Sequence, residues 1–168
     1  MTLAQINRLD LPFWLGQLAV VFEHSPWVAE RAWEKRPFDS IQKLHETMMQ
    51  TVRQAGVGEQ LALIRAHPEL AGAESKEGTL TADSSGEQGR LGFARLSKLE
   101  LQKMVELNRK YREKFGFPCI VALRLHATRD SVMEEMQRRL GNNAETELET
   151  ALEQIGRITR GRLDRLIS

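Results

Sequence analysis

Apolar residues along this chain recur at intervals of three and four far more often than they alternate, and helix-starting and helix-ending residues punctuate the runs. Asp10 and Pro12 introduce an apolar segment from Phe13 to Phe22. Ser25-Pro26 then supplies a cap followed by proline at a first helical position, opening a helix through Trp27 and Trp33 that Pro37 closes. From Ser40, the positions Ile41, Leu44, Met48 and Val52 mark an amphipathic helix, with Gly56 where a C-terminal glycine cap is expected. A shorter helix through Leu61, Leu63 and Ile64 stops at His67, because Pro68 disfavours the helical conformation of the residue before it. Ala71 to Ala82, with Gly72 and Gly78 among polar residues, reads as an exposed loop.

Ser97-Lys98-Leu99-Glu100 is a capping box for a long helix through Leu101, Met104, Val105, Leu107 and Tyr111, ended by Gly116. Lys103, Arg109, Lys110 and Lys114 form its polar face. Thr128 caps a helix reaching Leu140, and Asn143 caps a last one through Leu148, Leu152, Ile155, Ile158 and Leu163. Only Phe117 to Leu123 has strand-like composition, and with no partner strand in sight it reads as a buried, partly extended segment. The pattern predicts an all-α fold of about seven to nine helices without significant sheet, residues 1–168 forming a single compact domain.

Composition narrows the class. The 168 residues suffice for one core, and 41% hydrophobic with 28% charged residues is the balance of a soluble globule. No apolar run approaches the roughly 18 residues that suggest a membrane span. With 24 Lys and Arg against 23 Asp and Glu, net charge is +1, which argues against a nucleic-acid partner. Cys119 is the single cysteine, so an internal disulfide is excluded, and His24, His45 and His126 are scattered without metal-ligand spacing. Asn7, Arg8 and Asp10 interrupt what a signal peptide would need, and the final Leu166-Ile167-Ser168 is not a Ser-Lys-Leu address; a cytoplasmic location is expected.

Two short polar stretches are the candidates for chemistry. In Ala66-His67-Pro68-Glu69-Leu70 the imidazole of His67 can give or take a proton near neutral pH; the plain alternative is a helix stop with a polar end. In Ser84-Ser85-Gly86-Glu87-Gln88, Glu87 and Gln88 can orient an imidazole or a polar substrate; the plain alternative is a capping box begun by Ser84. The two readings are compatible, since a helix N-terminus is also an anion site. Cys119 reads as a core residue, the three tryptophans and most methionines as packing, and Arg157, Arg160, Arg162 and Arg165 as a basic face from which one arginine can turn inward to a carboxylate.

In order along the chain, Phe22-Glu23-His24-Ser25-Pro26-Trp27, the stretch from Ala66 to Gly72, Leu80-Thr81 through Gln88, Asn108 to Tyr111 with Phe115-Gly116-Phe117-Pro118, and Arg160-Gly161-Arg162-Leu163 resemble the OHCU decarboxylase family, OHCU being 2-oxo-4-hydroxy-4-carboxy-5-ureidoimidazoline. The resemblance spans nearly the whole chain. It implies an all-helical homodimer that needs no metal or organic cofactor and decarboxylates OHCU to (S)-allantoin in urate breakdown. It further implies that His67 is the catalytic acid, that Glu87 is the essential glutamate orienting it, and that Arg162 binds substrate, with Arg160 beside it in the same short motif. Pro68, Ser84, Ser85, Gly86, Glu87, Gln88, Cys119, Ile120, Val121, Ala122 and Leu123 are the substrate contacts it implies, the last five through backbone groups. Other classes stand beside this one: a helical interaction module, or a hydrolase of a related ureide.

Overall fold

The computed structural model describes residues 1–168, the side chain of Glu74 excepted. It is all-α. There are ten α-helices, eight of them seven residues or longer, and two 3-10 turns, with no strand among the described residues. Two compact units divide the chain.

One unit comprises Met1–Ala66 and Gly156–Ser168. It holds α1 (Leu3–Ile6), α2 (Leu11–Leu18), α3 (Trp27–Trp33), α4 (Ile41–Gln54), α5 (Val57–Arg65) and the C-terminal part of α10 (Ala144–Leu166). Asp10 and Ser40 cap α2 and α4 by accepting from the N–H groups of Phe13 and Lys43 at 3.3 and 3.0 Å. Of the predicted stripe, Leu44, Met48 and Val52 are fully buried, each side chain contributing about 1.5–3 kcal/mol relative to exposure, and Ile41 at the start of the helix is half-buried. Trp14 is fully buried too, and its indole donates to the Ala29 carbonyl at 2.7 Å, joining α2 to α3.

Two expectations are corrected here. Pro26, not Ser25, takes the N-cap place of α3: His24 turns the chain with φ 44°, and the Ser25 hydroxyl donates to the Glu23 carbonyl at 2.8 Å. Gly56 does not close α4. Ala55 leaves the helix with extended dihedrals, and Gly56, at φ −63°, is the N-cap of α5.

The other unit runs from His67 to Ile155. It holds α6 (Ala73–Glu77), α7 (Ala82–Arg90), a 3-10 turn Phe93–Arg95, α8 (Lys98–Phe115), a second 3-10 turn Leu123–Leu125, α9 (Arg129–Arg139) and the first part of α10. The capping box of α8 is complete: Glu100 N–H donates to Ser97 Oγ and Ser97 N–H to the Glu100 carboxylate, both at 3.1 Å. Gly116, at φ 76°, ends the helix in the left-handed region that favours glycine. Thr128 and Asn143 cap α9 and α10 as predicted, accepting from the N–H groups of Ser131 and Thr146 at 3.2 and 2.8 Å.

The buried face of α8 carries Met104, Leu107, Asn108 and Tyr111, whereas Val105 is 48% exposed. Tyr111 stacks obliquely on Phe115 and meets the edge of Phe117, which anchors the chain leaving Gly116. The expected loop before α7 contains α6: Gly72 and Gly78 bound a single short helix rather than preventing one. The cap of α7 is also earlier than the Ser84 pattern predicts, since Thr81 accepts from Ser84 N–H at 3.2 Å and places Ser84 inside the first turn.

Candidate active site

His67 follows α5 by two residues. Ala66 closes the helix, Pro68 prevents its continuation, and His67 is buried, with 6% of the residue exposed. The stretch it opens is held tightly. Gly72 N–H donates to the Glu69 carbonyl at 3.2 Å, and a Cβ added at Gly72 would stand 2.8 Å from the Glu69 Cβ, so only glycine fits this turn. Ala71 adopts φ 51°, a left-handed conformation rare for a residue with a side chain.

Two helices reach in to hold that backbone. Gln88 of α7 accepts from Ala71 N–H through Oε1 at 3.0 Å, and Asn108 of α8 donates to the Leu70 carbonyl at 2.9 Å. Both bonds are buried, where a polar group left unpaired costs about 1–3 kcal/mol. The first joins the two polar stretches singled out from sequence. On α7, Ser84, Glu87 and Gln88 are spaced at three and four and share a face, on which Ser84 and Gln88 are buried and Glu87 half-buried. Ser85 and Gly86 lie on the exposed side of the same helix. Pro68 is half-buried beside His67.

The segment Cys119, Ile120, Val121, Ala122 and Leu123 belongs to the same unit and is buried throughout. Side chains take the place of a partner strand. Arg139 donates to the Ile120 carbonyl at 2.6 Å, Gln154 accepts from Ala122 N–H at 2.8 Å, and Arg90 donates to the carbonyls of Leu123 and His126. Among the described residues no hydrogen bond engages the N–H or the C=O of Val121. Burial pushes the Cys119 thiol up to about 12, which keeps it neutral and unreactive near pH 7.

Arg139 is itself fixed. Its Nε donates to Glu147 at 2.7 Å, and the same carboxylate accepts from the Tyr111 hydroxyl at 2.6 Å and from Asn142 at 3.1 Å. Arg139, Glu147 and Tyr111 are each at least 98% buried. Nothing in the hydrophobic periodicity points to this cluster; Tyr111 and Asn108 fall within one of the motifs quoted above, but their partners lie tens of residues away.

Arg162 stands in the other unit. It is the arginine of the last helix that turns inward: it is buried, donating to Glu23 at 3.0 Å and to the Val21 carbonyl at 3.2 Å. Glu23, 1% exposed, comes from the Phe22–Trp27 motif, which explains why a carboxylate sits between aromatic residues there. Arg160 instead pairs with Asp164 at 2.9 Å, with more than a third of its side chain exposed. Among the described residues no group of three or more His, Cys, Asp or Glu is placed to hold a metal ion, and no helix is long and apolar enough to cross a membrane.

Comparison with known proteins places these features. The sequence signature of the family described as OHCU decarboxylase matches residues 7–164. A 2-oxo-4-hydroxy-4-carboxy-5-ureidoimidazoline decarboxylase of Haloferax volcanii is 39% identical, over 97% of this chain and 94% of that protein. A crystal structure of an (S)-allantoin synthase superposes with a TM-score of 0.80 at 27% identity, covering 99% of this chain and 54% of that one. A crystal structure of an OHCU decarboxylase in the presence of (S)-allantoin superposes with a TM-score of 0.71 at 25% identity, covering 94% of this chain and 98% of that one. The chain belongs to the OHCU decarboxylase family.

Proposed function

We propose that this protein decarboxylates OHCU to (S)-allantoin in urate degradation, with His67 as the proton donor, Glu87 orienting its ring, and Arg162 binding substrate oxygens. The observation that carries this reading is the buried bond from Ala71 N–H to Gln88, which locks the His67 stretch against the face of α7 that bears Ser84 and Glu87. The substrate supplies its own electron sink. The ring carbon bearing the carboxylate and a hydroxyl adjoins an imine carbon, so as the carbon–carboxylate bond breaks its electron pair forms a new ring double bond and the imine nitrogen takes up charge and a proton. Carbon dioxide leaves, and an enol remains.

The enol then collapses to a carbonyl as a proton arrives at the carbon bearing the ureido group. Delivery to one face sets the S configuration, and His67 is the group suited to that delivery. Pro68, Ser84, Gln88 and the backbone of residues 119 to 123 line the substrate in this reading, with Ser85 and Gly86 contributing through the helix they belong to. Losing a charged carboxylate as neutral carbon dioxide in an apolar setting adds to the driving force. We read residues 1–168 as one catalytic domain that works without added cofactor as a cytoplasmic homodimer, a state that light scattering on the purified protein measures.

The test is to oxidise urate enzymatically, add the upstream hydrolase, and follow chiral allantoin by circular dichroism. His67→Ala, confirmed folded, is expected to lose about a hundred- to ten-thousand-fold in rate and to leave only the racemic product of spontaneous decay. Near-native stereospecific turnover overturns the assignment. For Arg162→Ala the expected result is weakened substrate binding; unchanged binding and turnover moves the role to Arg160. Release of ammonia instead of carbon dioxide identifies a ureide hydrolase.

A further inference from the structure

We propose that Gln154 and Arg139 are positioning residues that fix the two peptide groups of Val121 as a donor and acceptor for the polar edge of the substrate. The inference rests on the reading above that the segment 119–123 contacts substrate. It adds what aims that segment. A trans peptide unit is planar, with its C=O and N–H pointing in opposite directions, and the peptide bonds here are trans. Arg139 grips the Ile120 carbonyl at 2.6 Å, and the N–H of that same unit is the Val121 N–H. Holding one end directs the other away from Arg139.

The next unit repeats the device with polarity reversed. Gln154 Oε1 accepts from Ala122 N–H at 2.8 Å, and the carbonyl of that unit is the Val121 C=O, which is thereby aimed away from Gln154. Both gripping side chains are buried, Arg139 at 2% and Gln154 at 6% exposure. Neither is free to drift: Arg139 is locked by Glu147, which Tyr111 and Asn142 hold in turn, and Gln154 is carried on α10. Arg90, on the carbonyls of Leu123 and His126, closes the far end of the segment. The result is one N–H donor and one C=O acceptor from adjacent peptide units, both buried and both without a partner among the described residues. Buried peptide groups are ordinarily paired, so such a set calls for a ligand. An amide or ureido edge, which offers an N–H and a C=O side by side, is the matching chemistry.

Such residues act on binding more than on proton transfer, which separates them from merely structural ones. Gln154→Met keeps the volume and removes the acceptor. It is expected to raise KM for OHCU about tenfold and to weaken (S)-allantoin binding to match, since one lost orienting hydrogen bond is worth about that factor, with kcat within about twofold of wild type. Arg139→Lys keeps the charge opposite Glu147 but shortens the reach to Ile120, and is expected to move KM the same way. In the wild-type protein, titration with (S)-allantoin should shift the Val121 amide resonance. A Val121 amide indifferent to the ligand overturns the substrate-contact reading and this inference with it. A responsive amide combined with native KM in both folded variants, or with a fall in kcat alone, overturns the positioning role and leaves the substrate-contact reading standing.

Discussion

Arg139 with Glu147, and Arg109 with Glu106 on the outer face of α8, bring the same groups to nearly the same separation, 2.7 and 2.5 Å. Their surroundings differ in every other respect. The first pair has 3% and 0% of its side chains exposed, and the carboxylate is closed by Tyr111 and Asn142. The second has 44% and 48% exposed, with Glu113 and Lys110 joining from the same helix. Arg109 holds the Glu106 carboxyl below its usual range chiefly by a direct hydrogen bond, but water and salt compete for both partners. Separation alone therefore does not rank ion pairs; what ranks them is whether either partner has somewhere else to go. An exposed partner turns to solvent when its mate is removed. A buried one is stranded.

The largest effect expected of that contrast is on Glu147. Glu147→Leu strands the Arg139 charge and is predicted to lose about 3–5 kcal/mol in urea unfolding. The double variant Arg139→Met with Glu147→Leu should lose less than the single one, because no buried charge is left over. A single variant within about 1 kcal/mol of wild type breaks the contrast outright.

His45 provides an intermediate case. Half-buried on α4, it meets the Thr159 hydroxyl at 3.0 Å, and burial, aided by Arg160, pushes its pKa below 6.5. The unfolded chain takes up a proton as pH falls through 6.5 while the folded chain resists, so the stability tied to neutral His45 is complete above that value and lost below it. Wild type should therefore lose more in Tm between about pH 7.5 and pH 5.5 than His45→Gln does. Equal losses remove His45 from the acid response. The smallest effect belongs to Arg109→Ala, for which no measurable change in Tm at moderate salt is expected; a clear drop shows that the α8 network matters as a unit.

Much of the scaffold is legible in the sequence. Both ends of α8 follow from Ser97, Glu100 and Gly116 because capping is local: the bonds close within three or four residues. The same locality explains where the structure departs from the pattern. Ser84 and Glu87 have capping-box spacing, but Thr81 lies three residues earlier and wins, since its hydroxyl reaches the Ser84 N–H. Gly56 opens the next helix instead of closing the last because two extended residues separate them, and nothing in a glycine says which side it serves. A resemblance of motifs points to His67, Glu87 and Arg162. Their supports are not legible that way, because the Gln88–Ala71, Arg139–Ile120 and Arg162–Glu23 contacts join residues 17, 19 and 139 positions apart and leave no periodic trace.

The left-handed turns at His24 and Ala71 carry a liability for anyone engineering this scaffold. Both are non-glycine residues held at positive φ, at roughly 1–3 kcal/mol of stored strain each, and each adjoins a support of the proposed site: Glu23, which holds Arg162, and the stretch opened by His67. A selection for heat tolerance would be drawn to glycine at these two positions, where the strain is released cheaply. The variants it returned would sit more comfortably in their turns, and would grip Arg162 and Gln88 with a looser hand.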